Sequence, residues 1–335
     1  MSDVGQIKIR PFQKSDVLLI HGTESDDSPQ LQYKPQGDKT DNTHAGQMKL
    51  MLADEMSILD GLRHIFTKYK ITLDDVKKNN VAVVVAGAAP GDHFVNLSTT
   101  FGFLDFHLYD PCGGWGWNPV LSAKVNEMNT NVHVYTQLFL EKTAEQWKER
   151  SRYKYVIFLC DLRTGNGHDN AQVTADMNLQ KTLTETIQAD YSVLKFRPPY
   201  YQKGDPRYFP YLEGQVYFQA YAPKNSSETR LHVTNTESIK MYDIEKYENQ
   251  LFFHNQETRN KTKNLYTVDS DVSLSYDNAY ARFVKSELQK FAPGLVILER
   301  GVLHPHRTRR NQDKILDFKH DTVRALLEHF KYICD

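Results

Sequence analysis

Two charged residues stand at the ends of apolar runs. Asp161 follows YVIFLC, and Lys195 lies inside VLKF. A lysine at the end of a buried strand is costly unless it is paired or functional. Desolvation and a neighbouring cation both depress a lysine pKa. Lowered enough, the amine can take a proton from a sugar hydroxyl. Glu228 in SSETRLHV and Lys49 in GQMKLML complete a possible set, Lys49, Asp161, Lys195 and Glu228. Taken one at a time, each reads more simply as a surface charge or half of a buried ion pair.

A second stretch, VAVVVAGAAPGDHF from Val81 to Phe94, has the form of a buried strand running into a tight loop. Loops of this kind bind nucleotides, and the dinucleotide fingerprint is G-x-G-x-x-G. Here the loop reads Gly87-Ala-Ala-Pro-Gly91. Proline has no N–H, so one phosphate donor is missing. That suits a ligand without phosphates, such as S-adenosylmethionine. Such a ligand needs close backbone approach, which glycine permits, and an acid for its ribose hydroxyls. Asp110, 19 residues after Gly91, is placed for that acid. The alternative is a purely structural strand-to-helix turn.

The elements that must position these residues are legible as a pattern. AGQMKLMLADEMSILDGLRHIF carries Met48, Leu52, Met56, Leu59 and Leu62 at helical spacing, with Lys49 beside the stripe. From Val81, the apolar runs VAVVVAG, FHLYD, VHVYTQLF, YVIFLCD and YSVLKF alternate with helical segments. This predicts an α/β fold with a mostly parallel sheet and helices on both faces. Ligands of such sheets bind beyond the C-terminal strand ends, where Gly87, Asp110, Asp161 and Lys195 fall. QVYFQAY and ETRLHVT flank the turn sequence APKNSS and predict an antiparallel edge. Residues 277–291 and 313–333 read as helices. Residues 1–45 are polar and turn-rich: an arm lying over the domain, or a disordered tail.

The totals narrow the class. The chain has 335 residues with 40% hydrophobic content, enough for a sizeable core. Its longest apolar run is about nine residues, against roughly 20 for a membrane span. No secretory signal is read at the N-terminus. Three scattered cysteines, Cys112, Cys160 and Cys334, suggest neither a disulfide framework nor a zinc site. A net charge of −1 argues against coating nucleic acid and for RNA contact confined to one site.

Together the motifs resemble the poxvirus-type family of cap-specific mRNA (nucleoside-2′-O)-methyltransferases. Members of that family double as poly(A) polymerase regulatory subunits. More broadly the chain is similar to FtsJ-like enzymes with a K-D-K-E tetrad. The matching stretches are YKP, GQMKLML, GAAPGDH, CDLR, LKFRPPY, APKNSSETRL and YENQLFF, in order from about residue 30 to 261. The resemblance implies a Rossmann-like fold formed by residues 46–335, with a C-terminal helical extension. It implies that the arm, residues 1–45, contributes to a cap pocket. It implies Lys49, Asp161, Lys195 and Glu228 as catalytic residues. It places Gly87, Ala88, Pro90, Gly91, His93, Asp110, Val134 and Asp161 at S-adenosylmethionine, with S-adenosylhomocysteine as product and no metal. It implies that Tyr33 and Tyr200 sandwich a 7-methylguanine while Glu248 reads its edge. The partners implied are capped mRNA and a viral poly(A) polymerase catalytic subunit, not a membrane, and the setting is the host cytoplasm, its viral factories and the virion.

There are departures. Gln202 replaces a second carboxylate near the cap, Asn225 an aromatic beside Glu228, and Cys112 a basic residue after Asp110. They bear on cap affinity and on discrimination for the 7-methyl group. Arg163 and Arg197 follow tetrad residues and are candidates for RNA phosphates. Trp115 and Trp117 either stack on a base or anchor their loop. HPHRTRRNQDK, near Arg307, either extends an RNA track or is a solvated run.

Overall fold

The computed structural model describes residues 9–19, 27–34, 43–76, 80–112, 116–128, 130–149, 152–164, 169–261, 265–268, 272–295 and 297. The helix expected at 313–333, the basic cluster near Arg307 and Trp115 lie outside the described residues.

The strands, in chain order, are β1 (Arg10–Pro11), β2 (Leu18–Leu19), β3 (Val81–Ala86), β4 (Asp105–Tyr109), β5 (Val132–Tyr135), β6 (Tyr155–Cys160) and β7 (Tyr191–Phe196). They continue with β8 (Tyr208–Leu212), β9 (Gln215–Tyr217), β10 (Thr229–Val233), β11 (Ile239–Asp243) and β12 (Tyr266–Thr267). The helices are α1 (Thr43–Tyr69), α2 (Leu73–Val76), α3 (Asp92–Thr100), α4 (Pro119–Lys124), α5 (Glu141–Glu149), α6 (Asn170–Ile187), α7 (Ile244–Phe253) and α8 (Tyr276–Phe291).

Eight strands form the central sheet in the order β2-β9-β10-β7-β6-β3-β4-β5. The five from β5 to β7 are parallel; β10 runs against β7 and β9, and β2 against β9. The chain starts its parallel sheet at β3, winds outward through β4 and β5, then returns to the other side of β3 with β6 and β7. That reversal puts a topological switch point between β3 and β6, where doubly wound sheets hold ligands.

Both faces of the sheet are covered, which explains the unbroken apolar strands. Val81, Val83 and Val85 face a core shared with α1, α3 and α8. Ala82, Val84 and Ala86 face a second core with Trp147 of α5, and with α6 and α7. The expected α1 stripe is present: Met48, Leu52, Met56, Leu59 and Leu62 are buried. The antiparallel edge also forms, with Leu231 opposite Val216. Part of the N-terminal segment joins the sheet, through Leu18 opposite Tyr217. The antiparallel β8–β11 pair was not anticipated. Both strands are exposed at their starts and buried at their last two residues, and β8 contains Pro210, a residue that sheets tolerate at edges.

Candidate functional site

Strand register brings the four charged residues together. Lys195 is the fifth residue of β7, Asp161 directly follows β6, and Glu228 directly precedes β10. Lys49 comes from the first turns of α1, which packs on β6 and β7. The Lys195 amine lies 3.1 Å from Asp161 Oδ1 and 3.1 Å from Glu228 Oε2. The Lys49 amine donates to the other oxygen, Glu228 Oε1, at 3.0 Å.

A fifth group completes the cluster. Arg230 Nη1 is 2.9 Å from Asp161 Oδ1 and 3.4 Å from Glu228 Oε1. Its residue sits directly opposite Lys195 in the β7–β10 ladder. Sequence reasoning missed Arg230. The signal was present: residues two apart on a strand share a face, so Glu228 predicts that Arg230 points the same way.

The charge balance differs from the expectation of a depressed Lys195. Burial pushes the Lys195 amine down, but Asp161 and Glu228 outweigh it and hold its pKa above the usual lysine value. The acids move the other way. Burial would raise both, yet Arg230 and Lys195 pull Asp161 below the usual carboxylate range, and Lys195 and Lys49 pull Glu228 well below it. The lone lysine inferred from VLKF is part of an ion cluster, so desolvation does not act on it alone.

The glycine loop runs between β3 and α3, and its donors are already spent. Gly87 N–H and Ala88 N–H both donate to Tyr109 O, at 2.9 and 3.2 Å. Ala89 N–H donates to Asp110 Oδ2 at 3.1 Å, and Pro90 has none. A phosphate cradle needs such N–H groups pointing at the ligand, so residues 87–90 do not make one. Gly87 has φ 87°, and a Cβ there would meet the Asp161 carbonyl carbon and oxygen at 3.0 Å. Glycine is required for the two strand exits to lie this close.

A cleft with a cavity volume of about 50 Å³, open at its mouth, lies against this loop and is lined by Gly87, Gly91, His93, Asp54, Asp161 and Arg230. Three buried polar atoms of its lining make no hydrogen bond: Gln47 Oε1, His93 Nδ1 and Asp161 Oδ1. Asp161 Oδ1 is held by its ion pairs with Lys195 and Arg230. His93 Nε2 is fixed 3.0 Å from Asp54 Oδ2 of α1. Ala88 and Pro90 also line the cleft. Asp110 accepts from Ala89 N–H and from Cys112 N–H, the latter at 2.6 Å; a carboxylate has about four acceptor positions, so lone pairs remain. Neither Asp110 nor Val134 is among the cleft residues; Val134 pairs with Leu108 and packs on the core.

The aromatic residues meet in a separate place. The Tyr33 and Tyr200 rings stack with centroids 5.5 Å apart and planes 17° apart. Layers of carbon pack about 3.5 Å apart, so a base between two rings needs about 7 Å. The pair is in mutual contact and must part to admit one. Tyr200 is clamped by Asn170, which donates to Tyr200 O at 2.8 Å and accepts from Tyr200 N–H at 2.7 Å. Tyr33 is held from α7: its N–H donates to Asn249 Oδ1 at 2.9 Å and its ring meets Phe252 edge-on. Its hydroxyl donates to Asn225 O at 3.2 Å. Glu248, the neighbour of Asn249, is buried and accepts from Tyr201 N–H at 3.1 Å. Burial lifts its carboxyl to about 7 despite that N–H and nearby Arg197. Gln202 is exposed on a turn.

The two arginines are placed inward. Arg197 is buried with its guanidinium 3.9 Å over the Tyr200 ring. Arg163 lies 4.0 Å from Asp176 with a largely covered side chain. Neither is an open phosphate contact in this arrangement. Trp117 donates to Thr136 Oγ1 at 3.0 Å and packs on the core, which favours loop anchoring.

The family model of the poly A polymerase regulatory subunit matches residues 23–292, a span holding every residue of both clusters. The chain belongs to this family. The family is described by its role as the regulatory subunit of a poly(A) polymerase. No curated protein matches the chain. Among solved structures it is similar to bluetongue virus VP4, described as "a multifunctional RNA-capping production-line", at 12% identity. That match covers 89% of this chain and 40% of VP4, with a TM-score of 0.45. The chain therefore spans well under half of that protein, and a likeness this loose adds nothing to the family assignment.

Proposed function

We propose that the chain is a cap-specific mRNA 2′-O-methyltransferase. It acts on the first transcribed ribose of 7-methylguanosine-capped RNA. The observation that carries this reading is the Lys195 amine, held 3.1 Å from each of two carboxylates beside the glycine loop. The strand order, with its switch point at Gly87 and Asp161, supports a Rossmann-like methyltransferase fold. The spent N–H groups of residues 87–90 favour a cofactor without phosphates at that point.

S-adenosylmethionine supplies, when bound, an electrophilic methyl on a positively charged sulfur. Gln47, His93, Gly87 and Gly91 would hold it in the cleft, with Asp110 for its ribose hydroxyls. Lys195 would orient the target 2′-hydroxyl and take its proton as the methyl passes from sulfur to oxygen, the bonding electron pair staying on sulfur. For that, Lys195 must be neutral, and a positive ligand nearby lowers its pKa. Asp161 and Glu228 fix where the amine points, and Lys49 shares Glu228 with it. Positioning and a prepared acceptor supply most of the rate. Tyr33 and Tyr200 part to stack on the cationic base, which adds a cation–π contribution, and Glu248 accepts from the guanine edge. Residues 1–45 act as an arm on a single methyltransferase domain, in the host cytoplasm.

A second reading is favoured by the family itself: a subunit that binds the cap and a poly(A) polymerase without catalysis. Methyl transfer from labelled S-adenosylmethionine to a short RNA separates the readings. The RNA carries a 7-methylguanosine cap, an unmethylated cap, or none. Transfer to the first ribose of the methylated cap alone is expected. Equal transfer to all three makes the chain a general RNA ribose methyltransferase, and cap binding without transfer leaves the regulatory reading.

A further inference from the structure

The tetrad uses only one end of the sheet face that α1 covers. Alternate residues of a strand share a face, so Glu228 and Arg230 are followed on the same side by His232 and Thr234. Along α1, Gln47 and Asp54 line the cleft beside the glycine loop, while Asp60, Arg63 and His64 line a second cavity further along the helix. That cavity has a volume of about 470 Å³, within the range of small-ligand pockets, roughly 300–1,000 Å³. It lies where β7 begins and β10 ends, away from the tetrad. We infer that it is a nucleotide site. It takes a phosphorylated nucleoside whose base carries an exocyclic amino group, free or as one unit of a single-stranded RNA. The inference goes beyond the reading of the tetrad and does not depend on it.

The walls of the cavity are aromatic and uncharged. His64, Tyr191, Tyr217 and His232 all line it. Tyr217 and His232 stack with centroids 3.9 Å apart, and the Tyr191 hydroxyl lies 2.8 Å from His232 Nδ1. Burial pushes the His232 pKa down to about 3 and lowers that of His64 too, so both imidazoles are chiefly neutral at pH 7. Such walls suit a flat heteroaromatic ring. The helix side supplies cations. Lys14 Nζ donates to both oxygens of the buried Asp60 at 2.9 Å. Arg63 lies 3.7 Å from Asp60 and 2.7 Å from Glu287, which Lys290 also meets at 3.2 Å. Three cations thus share two carboxylates, leaving one positive charge for an incoming anion. Lys14 spends two of its three ammonium donors on Asp60. Lys14 and Arg63 are 43% and 34% exposed, so a phosphate reaches both from solvent. The loop side is different. Glu213, Gln215 and Asn235 line it, from the chain around β9 and after β10. An ionised carboxylate only accepts, so Glu213 repels phosphate and takes the amino hydrogens of a base. The two sides therefore orient one ligand, phosphate toward Lys14 and Arg63, base edge toward Glu213. Adenine, cytosine and guanine offer an amino group there, and uracil does not.

Calorimetry on the full chain tests the site, with S-adenosylhomocysteine and a 7-methylguanosine cap analogue present to fill the other pockets. AMP should bind once per chain, with adenosine and UMP each weaker by about tenfold. Thr234→Trp, which fills the mouth, and Lys14→Met should each weaken AMP by about tenfold or more. Thr234 is exposed, so its variant tests the site even where Lys14→Met, which strips Asp60 of a partner, does not fold; near-ultraviolet circular dichroism reads the folding. No AMP binding, or binding unchanged in folded Thr234→Trp, overturns the proposal. So does inorganic phosphate bound as tightly as AMP, because the base then contributes nothing, or UMP bound as tightly, because the amino group then does not. Short oligoadenylate separates the sources. If it binds at least as tightly as AMP and weakens in Thr234→Trp, the site lies on an RNA path; AMP bound without it makes a site for free nucleotide, and either result supports the assignment. The assay reads binding alone, so a chain that transfers no methyl would lose the proposed function and keep this site.

Discussion

The tetrad and the aromatic pocket are built by different means. The tetrad hangs on strand ends: β6, β7 and β10 are adjacent in one sheet, and their hydrogen-bond register fixes Asp161, Lys195 and Glu228. Its charges are already paired with one another. The aromatic pocket joins residues 167 apart, Tyr33 and Tyr200, through side-chain bonds to α6 and α7. Its rings are in contact and must move to work. Ser227 links the two regions: its hydroxyl donates to Tyr200 at 3.3 Å, and Glu228 follows it in the chain. On the proposed function this is a division of labour, in which a stiff sheet would hold the chemistry and the packed aromatic pair would admit the substrate.

The comparison predicts where damage is greatest. Lys195→Ala should abolish methyl transfer, by about 100-fold or more, while cofactor binding by calorimetry stays near wild type. Near-normal turnover would mean that the sheet does not hold the proton acceptor. Glu228→Gln should cost fold stability as well, since it leaves Lys195 and Lys49 sharing one fewer buried anion. Removing one partner of a buried pair costs about 3–5 kcal/mol, and the partial exposure here argues for the lower end. Urea denaturation reads it, and an unchanged midpoint would show that the cluster relaxes freely.

This contrast also explains what was legible in the sequence. Apolar runs ending in Gly87, Asp161 and Lys195 are a period signal, and burial on both faces of a parallel sheet produces it. Lys49 was visible beside a helical stripe. Arg230 was not, because its importance comes from lying opposite Lys195 across an antiparallel pair. Residue type at 230 says nothing of that register. The charge state of Lys195 was misjudged for the same reason: desolvation is local, but its two compensating acids come from other strands. Residue spacing alone did not identify the aromatic pocket; the family resemblance pointed to Tyr33 and Tyr200. Their approach depends on Asn170 and Asn249, single side chains in α6 and α7 that no periodicity marks. Arg197 and Arg163 lie inward against Tyr200 and Asp176, partners that their positions in the sequence do not reveal.

The pocket should break more gently than the tetrad. Tyr200→Ala removes one ring and its cation–π contribution, about 0.5–2 kcal/mol, so affinity for 7-methylguanosine cap should fall between a few-fold and about 30-fold. The turnover number at saturating RNA should hold, because Lys195 is untouched. A fall in turnover with unchanged cap affinity would place Tyr200 in the tetrad's support rather than at the cap.

The smallest effect expected is a pH dependence that the tetrad cannot imitate. Glu248 titrates at about 7 because burial disfavours its charge. Guanine offers N–H donors on its edge, so the ionised carboxylate is the better acceptor. Cap affinity should therefore rise several-fold as pH climbs through about 7. Fold stability should move the opposite way. A carboxyl raised above its unfolded value contributes stability that is complete below the unfolded pKa and is lost as pH rises through the folded one. Glu248→Gln should flatten both curves at once, whereas a titration in the tetrad would change methyl transfer and leave cap binding level. Calorimetric cap binding and urea midpoints at pH 6 and 8 decide it. Two curves that rise together would show that Glu248 is not the group titrating, and that the buried acid of α7 is structural.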